Sequence, residues 1–92
     1  MNYKEQQEKN KENIRNLLTE LMEFYVALDR KKIVQKRILE KFINGIKDES
    51  MTFQKIMKTL RAMMLTAKTN ETKAVLGEVF NIFVKHYNNQ LK

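Results

Sequence analysis

Apolar residues recur along this chain at spacings of three and four, the period of an amphipathic helix, from residue 14 almost to the end. The first stripe is Ile14, Leu17, Leu18, Leu21, Phe24, Tyr25 and Leu28; Met22 and Val26 widen its apolar arc to roughly 200°, at about 100° per residue. A helix on the outside of a bundle needs about half of that. The first helix is therefore expected to be central or to lie in an interface. Residues 1–12 are polar and aperiodic and read as a frayed or disordered arm, or as an extension of the first helix.

Asp29-Arg30-Lys31-Lys32 interrupts the stripe, with Asp29 a candidate N-cap for a second helix. No Gly or Pro enforces the break, and Ile38, Leu39, Phe42 and Ile46 would keep phase in one long helix; the reading with a break is preferred. The second stripe is Val34, Ile38, Leu39, Phe42, Ile43 and Ile46, and Asn44-Gly45 predicts a left-handed glycine stop. Asp48-Glu49-Ser50 predicts a loop with Ser50 as the next N-cap. Phe53, Ile56, Met57, Leu60, Met63, Met64 and Ala67 form a narrower third stripe, of about 120°. After a cap at Thr69 or Asn70, the fourth helix presents Val75, Leu76, Val79, Phe80, Phe83 and Tyr87, widened by Ile82 and Val84.

The expected fold is all-α: a small antiparallel bundle of about four helices of some 15–19 residues, occupying residues 13–92 as one domain. The surplus apolar surface predicts a homodimer, with Leu18, Met22, Val26, Ile82 and Val84 as interface candidates.

Composition narrows the chemistry. There is no proline and no cysteine, and only two glycines, in 92 residues. Too few turn residues are present for a sheet protein, and disulfides and thiolate metal sites are impossible. The first residues lack a signal-peptide core, and the longest apolar run, Phe24 to Leu28, is too short to span a bilayer, so a cytoplasmic location is expected. The Lys, Asn and Ile bias suggests an AT-rich source such as a low-GC bacterium, a phage or a plasmid.

With one histidine, the common Ser-His-Asp and Cys-His sites would all pass through His86, which is expected at the edge of the fourth stripe with its ring solvated. Glu20 and Glu23 share a polar face without a Glu-x-x-His partner and read as solvated carboxylates. No enzyme, cofactor or metal is therefore expected. Gly77 lies inside the fourth helix, where it marks either a close helix approach or a tolerated glycine. The internal methionines and the phenylalanines lie mostly on core stripes, which argues against an aromatic base-stacking platform.

The net charge of +7 is unevenly placed. Residues 1–29 hold four Lys/Arg against six Asp/Glu, a balance of −2. Residues 30–68 hold eleven against three, +8, and residues 69–92 three against two, +1. Arg30, Lys31, Lys32, Lys36, Arg37 and Lys41 are expected along the start and first turns of helix two: Arg30, Arg37 and Lys41 on one side, Lys36 and Lys47 on the other. Lys55, Lys58 and Arg61 lie around Ala62 on the outer face of helix three. If the two helices are adjacent, these cations form a continuous surface for nucleic-acid phosphates in a regulatory or architectural role. The bland alternative is a solubilising face.

A helix-turn-helix across 34–62 is poorly matched: the 45–50 turn is long and Lys41 stands where a small residue is needed. Two rival functions remain. One is a protein-interaction module for an acidic partner, and in size, basicity and bundle class the chain is similar, without any shared motif, to bacteriocin immunity proteins and small phage-encoded inhibitors. The other is docking of basic amphipathic helices on an anionic membrane.

Overall fold

A computed structural model describes residues 2–46 and 48–92 and contains four helices: α1 (Tyr3–Ala27), α2 (Ile33–Gly45), α3 (Phe53–Thr66) and α4 (Asn70–Leu91). Three of them begin on a side-chain cap that accepts a bond from an otherwise unpaired backbone N–H. Asn2 Oδ1 accepts from Glu5 N (2.8 Å), Thr52 Oγ1 from Lys55 N (3.2 Å) and Thr69 Oγ1 from Thr72 N (3.1 Å). Asn2 thus caps an α1 that starts at Tyr3, well ahead of the first stripe residue Ile14, and the segment expected as an arm is helical from Tyr3. The third cap is Thr52 and not Ser50, whose N–H and hydroxyl are both held by the Asp48 carboxylate.

The chain does break between Ala27 and Ile33. Asp29 shapes that break but does not cap α2: its Oδ1 accepts from Lys31 N (2.9 Å) and its carbonyl from Lys32 N (2.9 Å). Lys32 occupies the N-cap position and offers no side-chain bond. α2 ends at Gly45 without a left-handed residue. The chain leaves the helix through Ile46, which is buried in the core.

Each helix contributes to one core: Ile14, Leu17 and Leu21 from α1, Leu39 and Phe42 from α2, Phe53, Ile56 and Leu60 from α3, and Val75, Leu76, Val79 and Phe83 from α4. α4 packs against all three other helices, as α2 also does, and its most extensive contact is with α1. That explains the breadth of its apolar arc: Ile82 and Val84 are half-buried against the chain's own core, as is Leu18 on α1. No heavy atom beyond the helix's own backbone and neighbouring residues lies within 4 Å of where a Gly77 side chain would begin, so this glycine marks no close helix approach.

Long-range contacts place the helix ends. Asn13 Nδ2 donates to Gln90 Oε1 (2.7 Å), and seven residues later Glu20 meets His86 and Lys85, so partner numbers fall along α4 as they rise along α1. Asn10 Nδ2 donates to the Met51 carbonyl (2.9 Å) and fastens the α2–α3 loop to α1. Gln35, buried on the first turn of α2, donates to Glu71 on the first turn of α4 (3.3 Å). The N-terminal half of α1, the 48–52 loop and the C-terminal end of α4 therefore form one end of a body 46 Å long. The α1–α2 turn and the starts of α2 and α4 form the other. Among the described residues, no helix is long and apolar enough to cross a membrane.

Candidate functional site

Glu49 in the loop and Glu20 on α1 are held by cations. Arg15 grips Glu49 with two bonds, Nε to Oε1 (3.0 Å) and Nη2 to Oε2 (2.9 Å). Arg15 thereby holds the Glu49 carboxyl below its ordinary range. Glu20 and His86 depart from the sequence expectation of solvated groups. His86 is 6% exposed, its Nε2 lies 2.9 Å from Glu20 Oε1, and its Nδ1 is buried without a partner. Lys85 Nζ reaches the same oxygen (3.0 Å), and chiefly through that bond Glu20 titrates below its ordinary value. The helical period put Glu20 on a polar face but gave no sign that α4 packs there; Glu23 does stay exposed.

The cations of the middle segment are different. Arg30, Lys31 and Lys32 sit in the α1–α2 turn ahead of α2, all exposed. Arg37 and Lys41 are exposed on α2, and Lys36 is half-buried with its Nζ 4.7 Å from the centre of the Tyr25 ring. Lys55, Lys58 and Arg61 are exposed on α3. Lys47 lies outside the described residues. Among the described residues, none of these nine cations forms an ion pair. The first turn of α2 also carries no acidic residue, so its helix dipole adds to the positive charge around it.

The two helices do not merge their cations into one groove. Lys41 lines a cavity with Met63, Thr66 and Lys68 near the end of α3. Lys58 and Arg61 line a different one, with Phe83, Val84 and Tyr87 of α4. Helical spacing identified the outer face of α3 but could not tell which neighbour each flank would meet.

What joins the cations of the α1–α2 region is exposed aliphatic surface. Val26 is 74% exposed, Ile33 61% and Val34 58%, with Met22 one turn back from Val26 at 48%. Val34 was expected in the core of helix two; instead Gln35, Leu39 and Phe42 face inward. Val34, Arg37 and Lys41 lie at spacings of three and four on one outer stripe of α2. On the other flank the Lys36–Tyr25 contact continues to Met22, one turn from Tyr25 on α1. Along residues 26–37, exposed aliphatic side chains and exposed cations thus follow one another in the chain.

No protein family, no curated protein and no solved structure matches the chain.

Proposed function

We propose that the chain is a non-enzymatic binding protein whose α1–α2 surface docks on an acidic protein partner presenting apolar side chains. The observation that carries this reading is the alternation itself: Val26, Ile33 and Val34 stand exposed among Arg30, Lys31, Lys32, Lys36 and Arg37. A polyphosphate backbone uses the cations but gains little from exposed valine and isoleucine. A protein interface uses both, with apolar side chains at the centre and charges steering the approach. We read the four helices as an antiparallel bundle that serves as the rigid support. A homodimer is the competing use of Met22 and Val26, but a two-fold contact there would bring two copies of Arg30, Lys31 and Lys32 together.

Nucleic-acid binding is the second reading, and the absence of ion pairs on the nine cations among the described residues favours it. Its reach is narrower than a two-helix surface, since Lys58 and Arg61 turn toward α4. Titration of a fluorescent amphipathic peptide, glutamate on one face and leucine on the other, separates the two. The protein reading expects binding that falls about tenfold or more, on the order of 1.4 kcal/mol, both in Ile33→Ser/Val34→Ser and in Arg37→Glu/Lys41→Glu. Binding that survives loss of the aliphatic pair while vanishing on charge reversal sinks it.

A further inference from the structure

A second concavity lies between α3 and the C-terminal half of α4, away from the α1–α2 surface. Its volume is about 450 Å³, within the range of small-ligand sites. Its aromatic wall is the half-buried Tyr87, which packs against the fully buried Phe83 beneath (ring centres 5.7 Å apart), itself 5.5 Å from Phe53. Met57 and Val84, both half-buried, form apolar walls. Lys58 and Arg61 stand exposed at the rim, and no acidic residue is among the described residues that line the cavity. Neither cation has an ion-pair partner among the described residues.

We propose that this cavity binds an apolar molecule ending in a carboxylate. The hydrocarbon lies on Tyr87, Met57 and Val84, and the carboxylate meets Arg61 and Lys58. The guanidinium fork matches a carboxylate in two parallel bonds, and Lys58, three residues before Arg61, adds a second charge on the same flank. Dry aromatic contact and an unneutralised cationic rim together select an amphipathic anion over a neutral hydrocarbon or a small polar ion. The site shares no residue with the α1–α2 surface and stands or falls independently of the function proposed for it.

Nuclear magnetic resonance titration of the full chain with octanoate and with octanol tests the proposal. Octanoate is expected to shift the Met57, Phe83 and Val84 amides saturably and to bind at least tenfold more tightly than octanol. Arg61→Glu and Lys58→Glu should each reduce that preference, whereas Arg37→Glu should leave it intact. The proposal is overturned by the absence of saturable shifts at those amides, by equal affinity for the two probes, or by an unchanged preference in both α3 variants. Equal loss in Arg37→Glu would also overturn it, by showing attraction to net charge alone.

Discussion

The two ends of this bundle handle charge and apolar surface in different ways. At the loop end, Arg15 closes on Glu49, Asn10 fastens the loop and Asn13 meets Gln90, while further along α1 Glu20 takes both Lys85 and His86. Arg15 and Lys85 have partners there, and Phe53, Phe83 and Tyr87 pack edge to face and tilted against one another. At the α1–α2 end, Arg30, Lys31 and Lys32 have no acidic partner among the described residues, and α2 begins on a lysine that cannot cap it. Large aliphatic side chains stand in water beside them. The first end is organised for internal stability. The second gives up a helix cap and favourable dipole contacts, which is the pattern of a surface kept for an outside ligand.

The sharpest way to break this comparison is to mutate the apolar residues of each end. Phe53→Ala removes a buried ring from the aromatic trio and is expected to cost about 3–5 kcal/mol in urea unfolding. Val34→Asp, on an exposed side chain, should stay within about 0.5 kcal/mol of the parent. A loss above about 2 kcal/mol for Val34→Asp would mean that this end is core after all.

Next in size is the Glu20 contact. Glu20→Gln is expected to cost about 1 kcal/mol near neutral pH by weakening the bonds to Lys85 and His86. Because Glu20 titrates below its ordinary 4.5 in the folded chain, its contribution is present above that value and fades as pH falls through the lower folded value. Unfolding curves of parent and variant should therefore converge in acid. A gap that persists at low pH would place the stabilisation elsewhere.

A similar but opposite effect is expected on α4. Gly77→Ala has open space for its methyl group and no positive φ to strain, and should stabilise by up to about 1 kcal/mol. A destabilised variant in thermal unfolding would reveal a close approach that the structure lacks. The smallest change sharpens the functional end: Lys32→Ser supplies the missing cap of α2 and should stabilise by about 0.5 kcal/mol. The same substitution should weaken peptide binding, so stability and affinity move in opposite directions. If both rise together, Lys32 has no part in docking.

Much of this fold was legible in the hydrophobic period. The helical stripes, the break at residues 29–32 and the Thr69 cap all follow from local spacing and side-chain chemistry. What escaped was long-range. Nothing near Glu20 in sequence signals His86, and the wide arc of α4 did not reveal that Ile82 and Val84 pack partly against the core of the same chain. Val34 misled because α2 opens on two adjacent apolar residues, Ile33 and Val34, which leave the phase of this short helix open until Leu39 and Phe42 fix it. The cations of α2 and α3 were found as residues, but their division between two sites depended on which flank of α3 meets α4.

The account turns on whether aliphatic surface contributes to recognition at the α1–α2 end. Fluorescence anisotropy across a salt series, run in parallel with the acidic amphipathic peptide, duplex DNA, single-stranded DNA and RNA, measures this directly. Binding to nucleic acid should fall steeply with salt, since each phosphate contact releases counterions. The peptide should keep an affinity at high salt that Ile33→Ser/Val34→Ser removes. Tight nucleic-acid binding at physiological salt, with peptide binding that disappears as salt rises, would contradict it.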